Sequence, residues 1–197
     1  MSARRPTASP GLVAALCLAA ALVPAAARAQ APETRTLDAG NGATVTYTLR
    51  TFPPGAHLAQ AGARLEPTSA LGTAKLLNLY LSTGDLEEAA VLSNAPRRRF
   101  EELTNFKNAY GEDEFKRVFA EYFDAKNRLV AEIAIDNRSL LVWRLNTTNR
   151  AGQPAIHYAG QYFVEVDGRY LIDDVPNDTR TRLRWVLEAY RAGKIAD

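Results

Sequence analysis

The sequence predicts an α+β domain in which N-terminal helices pack on one face of a curved, four-stranded antiparallel meander. Two observations predict it. Apolar residues recur every three or four positions between residues 69 and 122, which is a helical period, and at alternate positions between residues 129 and 175, which is a strand period. A block of helices followed by a block of strands is typical of α+β domains, because a parallel sheet would need strands and helices in alternation.

The chain begins with a pattern typical of a secretory signal peptide. Arg4 and Arg5 precede an apolar run over residues 11–23, and the small residues that follow fit a cleavage site after Ala27 or Ala29, of which we favour Ala29. The run is shorter than the roughly 20 residues of a membrane-spanning helix. We therefore expect residues 1–29 to be removed and the protein to be periplasmic or secreted, without a transmembrane anchor.

Loss of the signal peptide would change the composition. The full chain has 24 basic and 22 acidic residues, and removal of Arg4, Arg5 and Arg28 with no acid leaves 21 and 22, so the net charge falls from +2 to −1. Global charge therefore does not predict a nucleic-acid partner. Met1 and Cys17 are the only sulfur residues. Without them, thiol catalysis and cysteine-ligated metals are excluded, and we expect no metal and no cofactor.

Residues 30–68 predict an extra hairpin and a linker. Residues 34–37 and 44–49 flank a turn rich in Gly and Asn, a hairpin signal. Residues 53–67 contain Pro, Gly and Ala without periodicity, so we expect a linker. His57 lies in this segment, where we expect its side chain to be solvated. The main domain is predicted to span residues 69–197.

Four helices are predicted next. Thr68 or Ser69 can cap the first helix, which ends at a glycine. Asp85 and the glutamate three residues later make a capping box for a short second helix. Pro96 can begin the third helix as its first residue. Aromatic residues at helical spacing over residues 112–122 predict the fourth.

Alternating residues then predict two hairpins and a last helix. The hairpins span residues 129–145 and 156–175, and the second has an Asp-Gly pair at 167–168 that is typical of a type I′ turn. Pro176 should end the sheet, because proline cannot donate to a ladder. Asp178 is expected to cap a C-terminal helix with one apolar stripe.

The segment from Ser69 to Val175 resembles the NTF2-like superfamily, a cystatin-like α+β roll, over roughly half of the chain. The resemblance rests on the closing hairpins and on two motifs: Ser82-Thr83-Gly84-Asp85-Leu86-Glu87 after the first helix, and Val166-Asp167-Gly168-Arg169-Tyr170-Leu171-Ile172-Asp173 at the last hairpin. It implies a sheet that wraps around helices to leave a conical pocket. Members use that pocket for catalysis, for binding small apolar molecules, or as a scaffold, so the resemblance leaves function open.

Four aromatic residues are the candidate ligand-pocket residues. Tyr80, Trp143, Tyr158 and Tyr162 could line the open end of such a pocket, because amphipathic rings supply apolar area and a polar tip. The alternative is that these rings simply fill the core.

The polar residues do not predict a catalytic site or a metal site. His157 lies on the polar face of its strand, so period two turns it away from the core. Asp173 and Asp174 are adjacent on a strand and point in opposite directions, which argues against joint metal ligation. We assign no catalytic residue and no metal ligand.

A basic run, residues 97–99, opens the third predicted helix, where positive charge opposes the helix dipole. Arg97 can pair with Glu101 and Arg98 with Glu102, four residues apart. We favour these pairs over an anionic partner.

These observations predict an exported, non-catalytic module that binds a small apolar ligand or a cell-envelope protein. One alternative is a pocket enzyme of the isomerase or dehydratase kind that uses a buried carboxylate. A second is a scaffold that forms a homodimer through the open face of its sheet.

Overall fold

The structure, a computed structural model, describes residues 31–39, 42–58 and 64–195. The predicted signal peptide lies outside these residues. The described ranges contain six strands: β1 (Glu33–Asp38), β2 (Thr44–Thr51), β3 (Arg128–Ile135), β4 (Arg138–Thr148), β5 (Pro154–Val166) and β6 (Arg169–Ile172). They contain five α-helices: α1 (Ala70–Thr83), α2 (Leu86–Ala90), α3 (Pro96–Tyr110), α4 (Glu112–Ala120) and α5 (Asp178–Arg191). A 3₁₀ turn over Glu121–Phe123 follows α4.

The α+β class is confirmed, but the four-stranded meander with a separate hairpin is wrong. All six strands form one antiparallel sheet in the order β1-β2-β3-β4-β5-β6. Residues Thr48–Thr51 of β2 pair with Ala131–Ala134 of β3, so the N-terminal hairpin extends the sheet. The pairing joins residues about 80 positions apart, and the alternation within a strand does not reveal its partner.

Helices cover both faces of this sheet, whereas the sequence predicted one. On one face α5 packs Leu183, Val186 and Leu187 against β2, β3 and β4. On the other face α1 packs Ala70 and Ala74 against β4, β5 and β6. The central strands are therefore buried on both sides, and Leu140, Leu141, Val142 and Trp143 of β4 are each 0% exposed.

The helix caps agree in part with the sequence. Ser69 caps α1, since its hydroxyl accepts the backbone N–H of Gly72 at 3.0 Å. Asp85 precedes α2 but makes no capping hydrogen bond. For α5 the cap is Asn177 rather than Asp178, and its side chain accepts the backbone N–H of the third helical residue at 2.8 Å.

The two last strands have unequal lengths. β5 has 13 residues and β6 has 4, and they pair only where residues 163–166 face residues 169–172. The loop before α3 docks on the outer side of β6, where the backbone N–H of Ile172 donates to the Leu92 carbonyl at 2.7 Å. The first part of β5 therefore forms an edge of the sheet that β6 does not cover.

Gly160 of β5 lies where Leu187 of α5 packs closely against the sheet. A Cβ atom at this position would lie 2.8 Å from Leu140 Cδ1 and 2.8 Å from Leu187 Cδ2. Such a separation is well inside van der Waals contact, so glycine is needed for α5 to pack at this distance.

Within the described ranges, no helix combines the length and apolar character that crossing a membrane requires.

We predict that Gly160→Ala lowers the free energy of unfolding by about 1–3 kcal/mol, because the added methyl group overpacks the contact with α5. Urea unfolding followed by circular dichroism measures the loss. A double-mutant cycle with Leu187→Ala provides the control, since truncation of Leu187 should cost less in the Gly160→Ala background than in the wild type. Additive costs would contradict the proposed contact.

Candidate ligand-binding site

The four predicted pocket aromatics lie on opposite faces of the sheet. Trp143 pairs with Ala159 across β4 and β5, so Tyr158, the next residue, points to the other face. Trp143 and Tyr80 pack on the α1 side, and Tyr158 and Tyr162 pack on the α5 side. The structure therefore does not bring these four rings together around one pocket.

Trp143 belongs to a packed aromatic cluster. Its ring centroid lies 5.6 Å from that of Tyr122, 5.1 Å from that of Phe123 and 5.7 Å from that of His57. The indole N–H donates to Gln161 Oε1 at 3.1 Å. With its polar atom paired and its surface 0% exposed, Trp143 fills the core.

A cavity of about 190 Å³ lies at the uncovered edge of β5. One wall is apolar and contains Leu77 of α1, Phe119 of α4, Tyr122 of the 3₁₀ turn, Phe163 of β5 and Ile172 of β6. Of the four predicted aromatics, only Tyr162 lines this cavity.

The opposite wall is charged. It contains Arg99 of α3, Asp173 and Asp174 after β6, and Arg180 of α5. Neither Arg99 nor Arg180 was among the site residues predicted from the sequence. The one signal for Arg99 was its place in a basic run at a helix start, where helix stability does not favour arginine.

Asp173 is 1% exposed and accepts three hydrogen bonds. Asn94 Nδ2 donates to one oxygen at 2.8 Å, and Arg138 Nε and Asn177 Nδ2 donate to the other at 3.0 and 3.1 Å. Because Asn177 also caps α5, this carboxylate connects β4, the loop before α3, and the start of α5.

Asp174 points to a different set of partners. Arg99 binds it in a bidentate manner, with nitrogen–oxygen distances of 2.9 and 2.6 Å, and the Ser93 hydroxyl donates to it at 2.6 Å. All four oxygens of Asp173 and Asp174 thus accept hydrogen bonds. A carboxylate engaged in this way is poorly placed to accept a proton from a substrate.

The rest of the basic run behaves as predicted. Arg97 pairs with Glu101 at 3.4 Å and Arg98 with Glu102 at 2.7 Å, on the exposed side of α3. Only Arg99 turns inward.

Arg180 lies at the cavity, and none of the described carboxylates pairs with it. Its guanidinium carbon lies 4.9 Å from the centroid of the Tyr162 ring, a cation–π contact. The Nε atom is buried and has no hydrogen-bond partner. Burial raises the pKa of the Tyr162 hydroxyl, against the opposing effect of Arg184, so this hydroxyl stays neutral near pH 7.

The edge of β5 is occupied on both sides of Gly160. The Tyr162 carbonyl accepts the backbone N–H of Asp173 at 2.8 Å, and the Tyr158 carbonyl accepts Arg191 Nε at 2.9 Å. Backbone groups two residues apart on a strand point to the same side. The N–H and C=O of Gly160 therefore point toward the uncovered edge, at the cavity that Gly160 lines.

The sequence prediction for His57 is wrong. Its side chain is 1% exposed because residues 53–58 fold back over the Trp143 cluster. Nε2 lies 3.3 Å from the Asp124 carbonyl, and Nδ1 is buried without a partner. Burial lowers the pKa of His57, with a smaller contribution in the same direction from the Lys75 ammonium. His157 is exposed on β5, as predicted.

The comparisons with known proteins do not assign a family. No family model matches the chain, and no curated protein matches it. A search of solved structures finds the solution structure of a SEC-C motif containing protein from Rhodopseudomonas palustris, with 13% sequence identity and a TM-score of 0.35, covering 57% of this chain and 82% of that chain. A TM-score of this size does not establish a shared fold.

We predict that Asp173→Asn destabilises the protein by about 2–3 kcal/mol, because it leaves the partly buried Arg138 guanidinium facing a neutral amide. Chemical unfolding measures the change. Glu101→Gln provides the control, since it breaks only the exposed pair with Arg97 and should change stability little. Equal effects of the two substitutions would contradict the importance assigned to Asp173.

We predict that His57 makes stability depend on pH. In the unfolded chain its pKa is about 6.5, and in the fold the pKa is lower, so the unfolded state binds the proton more readily. Its contribution is fully present above about pH 6.5 and is lost as the pH falls toward the lower, folded-state pKa.

Urea unfolding between about pH 5 and pH 8 tests this dependence. His57→Phe should flatten the profile relative to the wild type, and His157→Gln, at an exposed position, should leave the profile unchanged. An equally steep profile in His57→Phe would show that another group is responsible.

Proposed function

We propose that this protein is an exported, non-catalytic module that binds a small ligand in the cavity at the edge of β5. The observation that carries the proposal is the cavity itself, about 190 Å³, with an apolar wall drawn from α1, α4 and the sheet. Small-molecule sites typically combine apolar surface with a few placed polar groups, and this cavity combines an apolar wall with a charged one. The export pattern of residues 1–29 supports a location outside the cytoplasm.

The size of the cavity limits the ligand. Sites for drug-sized molecules usually measure about 300–1,000 Å³, and this one is smaller. We therefore propose a compact ligand with a short apolar chain or a single ring.

The alternative of a pocket enzyme has less support. It requires an acid or a histidine that can exchange a proton with a bound substrate. The two acids at the cavity have every carboxylate oxygen hydrogen-bonded, and neither His57 nor His157 lines it. These contacts support a site that binds a ligand without catalysing a reaction on it.

The alternative of a dimeric scaffold, and that of an envelope-protein binder, also have less support. Helix α5 covers the sheet face through which a scaffold was expected to dimerise, and Arg191 occupies part of the β5 edge. Membership in the NTF2-like superfamily is also a proposal. It is supported by the chain order of α1–α4 followed by β3–β6, and not by any family match.

We predict that Leu77→Phe weakens binding of small probes by at least about tenfold, because the larger side chain fills the cavity. Hexan-1-ol, hexanoate and phenylacetate serve as probes, with thermal shift and calorimetry as measurements. Leu79→Phe provides the control, since Leu79 lies on the same helix but is 46% exposed and outside the cavity. Failure of every probe to bind the wild type, or equal binding by Leu77→Phe, would exclude the proposed site.

A further inference from the structure

We infer that the ligand is an amphiphile with one carboxylate group, which lies between the Arg180 guanidinium and the backbone N–H of Gly160. This inference rests on the proposed function, because it names the chemical class of the ligand of the same cavity. It depends on four features: the missing partner of Arg180, its position in α5, the free edge at Gly160, and the charge balance of the wall.

Arg180 has a positive charge that no described residue neutralises. Two other arginines of the same helix have acidic partners, Arg182 at 3.1 Å from Asp136 and Arg191 at 2.8 Å from Glu188. Among the residues that the structure describes, no carboxylate lies within 4.0 Å of Arg180. Its buried Nε also lacks an acceptor, and an unsatisfied charged donor is costly. A bound oxyanion would satisfy it.

The position of Arg180 in α5 does not explain its presence. It is the third residue of the helix, where a positive charge opposes the helix dipole. The contact with the Tyr162 ring holds the guanidinium at the cavity, and this preorganises the donor before a ligand arrives. Arg180 is thus oriented for a partner that none of the described residues supplies.

Gly160 supplies a second donor. Its backbone N–H points to the same side as the Tyr158 and Tyr162 carbonyls, both of which are already hydrogen-bonded. Between the hydrogen-bonded carbonyls of Tyr158 and Tyr162, only Gly160 has backbone groups that point to the uncovered edge. An added peptide strand needs alternating backbone groups over several residues, so this edge fits a small oxyanion better than an extended peptide.

The charge balance of the wall favours a single negative charge. Asp173 and Asp174 are paired with Arg138 and Arg99, respectively. Arg180 is then the one uncompensated charge among these five residues. A monoanionic carboxylate matches it, whereas a dianionic phosphate would leave one negative charge without a partner at the cavity wall. The apolar wall opposite, with Leu77 and Phe119, would bury the rest of the ligand.

The test compares two probes that differ only in the head group, hexanoate and hexan-1-ol, by calorimetry at pH 7. We expect the wild type to bind hexanoate at least about tenfold more tightly, because a charge-assisted hydrogen bond is stronger than a neutral one. Arg180→Gln should weaken hexanoate binding by about the same factor and leave hexan-1-ol unchanged. Arg182→Gln removes the same charge from the same helix and should retain the preference.

The outcomes separate this inference from the proposed function. Equal affinities for the two probes in the wild type, or a preserved preference in Arg180→Gln, overturn the carboxylate assignment while the cavity remains a site. Binding of neither probe overturns both. Tighter binding of an extended acidic peptide that displaces hexanoate also overturns the assignment. If Arg180→Gln does not fold, Arg180→Lys keeps the charge without Nε, and it should weaken hexanoate more than hexan-1-ol.

Discussion

The pair of acids at the end of β6 holds together the charged wall of the cavity. Asp173 connects β4, the loop before α3, and the cap of α5, and Asp174 binds Arg99 of α3. Removing two carboxylates from water is costly unless each is paired with a cation and hydrogen-bonded. Here both carboxylates are paired with an arginine, and all four oxygens accept hydrogen bonds. The network therefore requires the end of β6 and the starts of α3 and α5 to lie close together.

The cavity follows from that arrangement and from the short length of β6. The chain leaves the sheet at Asp173 in order to reach the cap of α5 at Asn177, so β5 continues without a neighbour. Helices on the two faces then form the sides of a groove along the strand edge. Exposed strand edges invite pairing with other chains, and Arg191 bonded to the Tyr158 carbonyl shortens the free edge here.

Local signals predicted the elements well. Periodicity indicated α1, α3, α4 and α5, and the Asp-Gly turn lies between β5 and β6 as predicted, although β6 ends at Ile172 and not at Val175. The continuous apolar run in β4 was a signal for burial on both faces, and with the apolar stripe of α5 it could have predicted helices on both sides of the sheet. The six-stranded sheet was missed because the pairing of β2 with β3 spans the whole helical block.

The sequence by itself determined the α+β class, the order of helices and hairpins, and which residues share a face of each element, because these depend on neighbours along the chain. Only the tertiary structure decided which element covers each face. It separated Tyr80 and Trp143 from Tyr158 and Tyr162, buried His57, and placed Arg180 at a cavity with no acidic partner among the described residues. Those outcomes depend on contacts between residues distant in sequence, and periodicity carries no information about the path that brings them together.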